Sequence, residues 1–466
     1  MFRHVSSWHG GGMTRPLRFS AFVMNTTSHI VHGAWRRPEA EQTNFASLEH
    51  WVSLARLLEQ GKFDFIFFAD VVGLYNDHRG SSRKFVESGL QIPSHDPSVV
   101  ASAIAYATEH LGIAITSSIL QEHPFNFARK MSTLDHASQG RIAWNIVTSM
   151  SANAWRNFGF GDLALHEDRY AWADEYVEVV YKLWEGSWDD GALVQDKETG
   201  VHADFSKVHT IDHVGKRYRV EGPHLSAPSP QRTPVLFQAG SSPTGRRFAA
   251  RNAEAQFIAS PSPEAAQALI ADTRRLVVDN GRAAHDLEFY QGLSFVIGST
   301  DDEARRKEAE LDEFVDDEAM IAHAAGGIGI DLGFYDLDTP IGEVQGEGSQ
   351  STLAWLREAI TDREPTVRDL AHMRTRSGRV VGTPESIADR LEQWRDAGVD
   401  GINVINSTLP GSYVEFVEHV LPVLQQRGLA KREYETGTVR RKLTGVDRLP
   451  DAHPAARFRG AFGRSL

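Results

Sequence analysis

The sequence predicts a single (β/α)8 barrel of the TIM type. Three observations support this class: strand-like and helix-like patterns alternate along the 466 residues, the strands are nearly continuous apolar runs, and eight of them are followed by a helical pattern. Such apolar runs are typical of parallel strands that are buried on both faces. The alternative α/β class is a doubly wound open sheet, which is less well supported because no G-x-G-x-x-G motif follows the first strand.

Each predicted strand is a short apolar run bounded by turn-forming or polar residues. In chain order, the strands span residues 17–25, 63–70, 111–118, 140–149, 233–242, 253–260, 287–299 and 401–405. The helices, with apolar residues at helical spacing, span 45–62, 96–110, 125–138, 169–187, 243–253, 262–281, 300–315, 383–398 and 412–428. Asp96, Thr300 and Thr383 are typical N-cap residues, and Pro97 and Pro384 suit the first turn of a helix.

One barrel domain is expected over residues 17–430, with three insertions at about 150–168, 188–232 and 316–378. The glycine-containing stretch at 1–16 is predicted to be a flexible leader without the apolar segment of a signal peptide. The tail at 431–466 is predicted to pack on the barrel or on a partner subunit, and a solvated tail is the alternative.

Composition narrows the classes of partner and of chemistry. The formal net charge of −13 argues against nucleic acid or an anionic membrane, because both attract basic proteins. The chain has no cysteine, which excludes disulfides, thiolate metal ligands and a cysteine nucleophile. No stretch of about 18 consecutive apolar residues is present, so no membrane span is expected and the cytoplasm is the predicted compartment.

Small polar side chains end several of the predicted strands. They include Asp70, Thr116, Asn145 and Thr148, which follow apolar runs. Because barrel enzymes carry their sites at the carboxyl ends of the strands, these side chains are expected to surround one polar ligand. The histidines and carboxylates have no obvious metal-ligand spacing, so no metal site is predicted.

The stretch QAGSSPTG at 238–245 is the most informative of these strand ends. Gly240 permits close approach of the backbone, and Ser242 suits the N-cap of the following helix. The N–H groups and positive dipole end of that helix would then face outward, which favours a phosphate. A serine cap without a ligand is the alternative. His166 and Tyr170 share a face if their segment is helical, and can contact such a ligand; a capping histidine beside a packed tyrosine is the alternative there.

Several long motifs make the sequence similar to a known family. They are MNTTSHIVHGAWRRP, FFADVVGLY, QEHPFNFARKMSTLDHASQGRIAWNIVTS, HEDRYAWADEYVEVVYKLWEGSW and PSPQRTPVLFQAGSSPTGRRFAA. Together they resemble the bacterial-luciferase-like flavin monooxygenases, in the branch that contains the nitrilotriacetate, dibenzothiophene-sulfone and long-chain-alkane monooxygenases. The resemblance extends over roughly residues 17–460.

The resemblance implies a TIM barrel that uses reduced FMN (FMNH2) from a separate NAD(P)H:FMN reductase, with O2 as the second substrate. FMNH2 and O2 would give a C4a-hydroperoxyflavin that oxygenates a small organic substrate, while the protein supplies position and electrostatics. A homodimer or homotetramer is expected. The alternatives are an F420-dependent oxidoreductase, a flavin-binding protein without turnover and, less closely, a metal-dependent barrel hydrolase.

The resemblance also implies which residues hold the flavin. Asp70 and Thr116 would lie beside the isoalloxazine ring or its ribityl chain, and Asn145 and Thr148 would border the ring. The residues implied for the phosphate region are His166, Tyr170, Gly240, Ser241 and Ser242.

Two histidines are candidate catalytic residues, His29 and His323, because a histidine near the substrate can move a proton or stabilise a peroxide. A structural role in the first loop for His29, or in a mobile lid for His323, is the alternative. Thr26 stands where alkane-oxidising relatives tend to have cysteine, and Met150 where some relatives have histidine. The sequence therefore does not name the organic substrate, although the glycine-rich insertion at 316–378 is expected to help set specificity.

Overall fold

Eight parallel strands close into a barrel in the computed structural model, which describes residues 15–75, 78–328, 330–344, 356–357, 360–376 and 378–463. The described part of the chain contains thirteen strands in all, eight of which form the barrel: β1 (Arg18–Met24), β2 (Phe65–Ala69), β3 (Gly112–Ser118), β4 (Ile142–Val147), β5 (Leu193–Asp196), β6 (Val201–Ala203), β7 (His213–Val214), β8 (Arg219–Val220), β9 (Val235–Gln238), β10 (Ala255–Ile258), β11 (Glu288–Ile297), β12 (Arg379–Gly382) and β13 (Gly401–Ile405). The ring runs β1–β2–β3–β4–β9–β10–β11–β13 and returns to β1 through parallel pairs. The predicted (β/α)8 fold is confirmed, and the open sheet is ruled out.

The helices mostly cover the outside of this ring. They are α1 (Leu48–Gln60), α2 (Arg83–Glu87), α3 (Pro97–Ala107), α4 (Pro124–Ala137), α5 (Ala152–Asn157), α6 (His166–Tyr181), α7 (Pro243–Asn252), α8 (Pro263–Asp279), α9 (Asp301–Asp312), α10 (Asp317–Ile328), α11 (Val367–Arg376), α12 (Pro384–Asp396), α13 (Gly411–Glu415), α14 (Leu421–Gln426) and α15 (Val439–Thr444). Helices α10 and α11 belong to the insertion at 316–378, and α15 lies at one mouth of the barrel. Short π-helical segments extend α6 and join α13 to α14. Among the described residues, no helix combines the length and the apolar character needed to cross a bilayer.

The predicted N-caps form as expected. Asp96, Thr300 and Thr383 each accept a hydrogen bond from a backbone N–H in the first turn of α3, α9 and α12. Helix α6 begins at His166, three residues earlier than predicted. Two acidic residues, Glu167 and Asp168, occupy its first turn, where negative charge is stabilising.

The strands present two different faces to two cores. Inside the ring lies a mainly aromatic cluster that includes Phe22, Phe65, Phe67, Phe237 and Tyr290. The rings of Phe65 and Phe237 meet edge to face, with centroids 5.1 Å apart. Outside the ring, a larger apolar cluster joins the other strand faces to the helices. Burial of each aromatic side chain stabilises the fold by about 1.5–3 kcal/mol, so both clusters contribute to the stability of the barrel.

Several elements were not expected from the sequence. The region 188–232 contains two antiparallel hairpins, β5–β6 and β7–β8. Strand β12 adds a ninth strand to the sheet by pairing with the second half of β11, and it lies just after the insertion at 316–378. Its four residues are only half-buried for the most part, so they carry little of the apolar signal of a barrel strand.

The insertion at 316–378 forms its own small core. Helices α10 and α11 pack together through residues such as Met320, Ile321 and Leu370. Residues 329, 345–355, 358–359 and 377 of this insertion lie outside the described part of the chain, as do residues 1–14 of the predicted leader.

The tail after residue 430 covers the amino-terminal mouth of the barrel, the end at which the barrel strands begin. Lys431 Nζ donates to Asp64 Oδ1 over 2.6 Å, just before β2. Val439 and Leu443 of α15 join the aromatic cluster inside the ring. Arg440 is fully buried and pairs with Glu254, just before β10, with Nε and Oε1 2.6 Å apart.

Replacing Arg440 by Ala should destabilise the fold strongly, because it leaves the Glu254 carboxylate buried without its cation. Removing one partner of a buried ion pair costs about 3–5 kcal/mol. Differential scanning calorimetry at pH 7.5 would measure this as a lowered melting temperature. The matched control is Arg441→Ala, which removes an exposed arginine from the same helix and should leave the melting temperature unchanged. Equal effects of the two substitutions would contradict the assigned role of the buried pair.

Candidate active site

The carboxyl ends of β2, β3, β4 and β9 form one edge of the barrel, here called the carboxyl rim. Thr116 and Asn145 stand opposite each other on β3 and β4, and Asn145 Nδ2 donates to Thr116 Oγ1 over 2.9 Å. This bond fixes the amide, and Asn145 Oδ1 is left buried with no partner among the described residues. A buried acceptor of this kind is costly unless a ligand supplies a donor. Thr148 follows the end of β4 and is half-buried.

A second part of the rim is the amino terminus of α7. Ser242 is its N-cap, and its Oγ accepts from Gly245 N–H over 3.1 Å, as the sequence predicts. The first turn of α6 lies against this terminus, with His166 Nε2 3.3 Å from Ser242 Oγ. The rings of His166 and Tyr170 are 5.0 Å apart on one face of α6. The predicted segments therefore meet at two places on this rim. One is the pair of strand ends β3 and β4, and the other is the contact of the first turn of α6 with the start of α7.

Gly240 allows the turn after β9 to approach α7. A Cβ atom at this position would lie 2.4 Å from Gln238 Nε2 and 2.6 Å from Tyr170 Oη, so no other residue fits without movement. Gln238 Nε2 also donates to Tyr170 Oη over 3.2 Å, which leaves the phenol proton available for another acceptor. Burial raises the pKa of Tyr170, so the phenol remains a donor at neutral pH. Ser241 is exposed at the tip of the turn.

The carboxyl group of Asp70 directly follows β2 and is half-buried. Burial, together with the like charge of Asp96, raises the pKa of Asp70 to about 7. The Val71 N–H, the Gln121 amide and Lys130 act in the opposite direction but do not restore the ordinary value. The Asp70 carboxyl is therefore partly protonated at neutral pH.

The imidazole of His29 lies in the loop after β1, tilted against the ring of Phe22 at a centroid distance of 4.7 Å. It lines a small cavity between this loop and the end of β13, together with Met24, Asn406 and Ser407. Burial lowers the pKa of His29 to about 3, so the ring is neutral at physiological pH. Its Nδ1 is buried and has no partner in the described part of the chain.

The structure brings His323 of α10 to the same loop through a network that the sequence did not predict. His323 Nδ1 is 2.9 Å from His32 Nε2, and His32 Nδ1 is 2.7 Å from Ser28 Oγ. Gln91 Nε2 is 3.4 Å from His323 Nε2 and donates to the His29 carbonyl over 3.0 Å. The two candidate histidines are thus joined by Gln91, and the insertion is tied to the loop after β1.

Of the described residues, no three histidine or carboxylate side chains are grouped so that they could hold a metal ion. The polar groups at the rim are amides, hydroxyls, the partly protonated Asp70 carboxyl and the amino terminus of α7. A closed parallel barrel with such groups at its carboxyl rim has the site architecture of the TIM-barrel enzymes.

The enzyme family follows from comparison with known proteins. A family model described as luciferase-like monooxygenase matches residues 21–401. The chain belongs to this family of enzymes, as its motifs predict.

Two curated relatives are similar over almost their whole length. The long-chain alkane monooxygenase of Geobacillus thermodenitrificans (strain NG80-2) is 43% identical over 455 residues, which cover 96% of this chain and 99% of that protein. The dimethyl-sulfide monooxygenase of Hyphomicrobium sulfonivorans is 41% identical, over 97% of this chain and 95% of that protein. A crystal structure of a riboflavin lyase with modified FMN and riboflavin is 39% identical, with a TM-score of 0.87 and coverage of 96% and 100%.

Replacing Asp70 by Asn should stabilise the protein, and more so at pH 8 than at pH 5. Because the pKa of Asp70 is raised on folding, this carboxyl costs nothing below its unfolded pKa; the cost grows as the pH rises from that value to about 7 and is constant above it. The difference between the two pH values is on the order of 2 kcal/mol. Thermal unfolding at both pH values measures it as a larger gain in melting temperature at pH 8.

The control for this substitution is Asp162→Asn, which changes a fully exposed carboxylate and should leave the melting temperature unchanged at both pH values. An equal gain from Asp70→Asn at pH 5 and pH 8 would contradict the raised pKa.

Proposed function

We propose that the protein is a two-component monooxygenase that receives FMNH2 from a separate NAD(P)H:FMN reductase and uses O2 to oxygenate a small organic substrate. The observation that carries this proposal is the pairing of two binding features on one rim. One is an open helix terminus surrounded by Ser242, His166 and Tyr170, and the other is the unpartnered buried acceptor of Asn145.

The residues of the rim fit FMN at both of its ends. At the α7 terminus, the positive end of the helix dipole, the Ser242 hydroxyl and the Tyr170 phenol are groups that favour a phosphate. At the ends of β3 and β4, Asn145 Oδ1 would accept a hydrogen bond from a ring N–H, since Thr116 fixes the orientation of its amide and leaves that oxygen without a partner in the described chain. The riboflavin lyase structure with modified FMN supports a flavin in this fold.

Bound and reduced, FMN supplies the electrons and the position at which O2 is activated. Ser242 and Asn145 would orient the flavin, and the Asp70 carboxyl is partly protonated at neutral pH. His29 is neutral, so it acts as a hydrogen-bonding group and not as a cation. Gln91 and His323 tie the insertion to the loop after β1.

The names of the relatives support an oxygenation reaction but differ in substrate. One acts on long-chain alkanes and another on dimethyl sulfide. We therefore propose a small organic substrate and leave its class to experiment. A reductase that uses NAD(P)H is consistent with a cytoplasmic enzyme, and a homodimer or homotetramer is the proposed assembly.

The direct experiment combines the purified protein with FMN, an NADH:FMN reductase, O2 and a panel of alkanes, organic sulfides and sulfones, aminopolycarboxylates and heterocycles. We expect one class to be consumed with formation of an oxygenated product, or of the fragments into which a hydroxylated amine or sulfide breaks down, identified by mass spectrometry and traced with 18O2. Anaerobic titration should show FMNH2 binding. Failure to bind FMNH2 would overturn the proposal, and binding without oxygenation of any class would favour a flavin-binding protein without turnover.

Ser242→Asp should weaken FMN binding by at least about 30-fold, because it places a negative charge beside the phosphate, a repulsion on the order of 2 kcal/mol. Aspartate is a good N-cap, so α7 should remain folded. Fluorescence titration of FMN measures the affinity.

Ser262→Asp is the matched control for this substitution. Ser262 caps α8 before a proline in the same way as Ser242 caps α7. Its replacement should leave FMN affinity unchanged, and an equal loss in both variants would remove the phosphate from the α7 terminus.

His29→Ala should lower the yield of product per FMNH2 about tenfold while FMN affinity remains unchanged. The loss corresponds to one hydrogen bond of about 1.4 kcal/mol from the free imidazole nitrogen. The assay compares product with hydrogen peroxide released, and His95→Ala, an exposed histidine near the same loop, is the control. Full coupling in His29→Ala would exclude this residue from the reaction.

A further inference from the structure

The turn that joins β4 to α5 has an unusual backbone conformation. Ser149, at its centre, has a φ of 49°, in the left-handed region that residues other than glycine rarely adopt. Such a conformation persists only where the surrounding structure holds it, and it is frequent at functional sites. Ser149 follows the last residue of β4 by two positions, so the turn belongs to the carboxyl rim.

Hydrogen bonds from three separate elements hold Ser149. Its carbonyl accepts from Arg169 Nη1 of α6 over 3.0 Å and from Trp155 Nε1 of α5 over 3.1 Å. Its hydroxyl donates to Ser118 Oγ, at the end of β3, over 2.8 Å. The conformation of Ser149 is therefore set by its neighbours and not by its own preference.

Arg169 is a buried cation to which the described part of the chain gives no carboxylate partner. The residue is 9% exposed, and its Nε is buried without a partner among the described residues. The bond from Nη1 to the Ser149 carbonyl is the hydrogen bond that its guanidinium makes there. Burying a cation without a counter-charge is costly, so the position of Arg169 is not explained by an ion pair.

The turn after β4 also determines where α5 lies on the rim. Asn153 Oδ1 of α5 accepts from Leu74 N–H over 2.8 Å, and the Ser151 hydroxyl donates to the Leu74 carbonyl over 2.7 Å. The contact is close, because a Cβ atom added at Gly73 would lie 2.3 Å from Ala154 N. The loop after β2 therefore rests on α5, and one turn links the carboxyl ends of β2, β3 and β4.

We propose that Arg169 is a positioning residue for the flavin site. By donating to the Ser149 carbonyl, it keeps the turn after β4 in the left-handed conformation and so places α5 and the loop after β2 beside the ends of β3 and β4. The proposal rests on the proposed function, because it requires the flavin ring to bind between these segments. Arg169 acts through Ser149, whereas the alternative is a direct attraction between its guanidinium and the flavin phosphate.

Ser149→Gly separates the two roles of Arg169. Glycine adopts a positive φ without a steric cost, so the turn no longer needs Arg169 to hold it. Fluorescence titration with oxidised FMN measures the affinity of four proteins: unmodified, Arg169→Gln, Ser149→Gly and the double variant. We expect Arg169→Gln to weaken FMN binding about tenfold alone, the effect of one hydrogen bond, but less than about threefold when Ser149→Gly is also present. A direct contact with the phosphate predicts the same loss in both cases.

Two further variants complete this comparison. Arg156→Gln removes a half-exposed arginine of α5 and is the matched control, so its FMN affinity should equal that of the unmodified protein. Trp155→Phe removes the other donor to the Ser149 carbonyl and keeps an aromatic ring in the core. It should weaken FMN binding in the same way as Arg169→Gln, and Ser149→Gly should again restore the affinity.

The outcomes separate this inference from the function on which it rests. If the unmodified protein does not bind FMN, the proposed function fails. If it binds FMN and Arg169→Gln leaves the affinity unchanged, or lowers it equally with and without Ser149→Gly, the inference is overturned and the flavin site stands. If Arg169→Gln does not fold, Trp155→Phe decides by the same comparison.

Discussion

The closure of the strand ring by the pairing of β10 with β11 is the constraint on which the site depends. Without that pair, the sheet would be open, with β9 near one end and β2 in its interior. The carboxyl ends of these strands would then not surround a common space. With it, Asp70, Asn145 and Ser242 come from separate parts of the chain to one rim. The aromatic cluster inside the ring keeps the ring closed from within, since its members come from strands on opposite sides.

The two ends of the barrel differ in how their polar groups are satisfied. At the amino-terminal mouth, charged side chains are paired: Arg18 with Glu288, Lys431 with Asp64 and Arg440 with Glu254. At the carboxyl rim, Asn145 retains a buried acceptor without a partner in the described chain, and α7 presents its terminus. The polar groups of one end are therefore satisfied within the chain, while the other end keeps polar groups that are available to the flavin we propose.

Local signals in the sequence predicted local structure well. The apolar runs located the eight barrel strands, and the order serine, proline, glycine located the Ser242 cap, because a cap depends on residues within one turn. The network of His32, Gln91 and His323 was missed, since its members are far apart in sequence and meet only through the insertion.

The position of α15 has a consequence for the order in which the protein is made. A ribosome completes the strands of the ring well before it reaches Arg440, so the nascent barrel must hold the Glu254 carboxylate without its cation. Val439 and Leu443 have also not yet joined the cluster inside the ring at the amino-terminal mouth. Final closure of the barrel base is therefore a late event in biosynthesis, and it occurs at the opposite end from the rim where the flavin is proposed to bind.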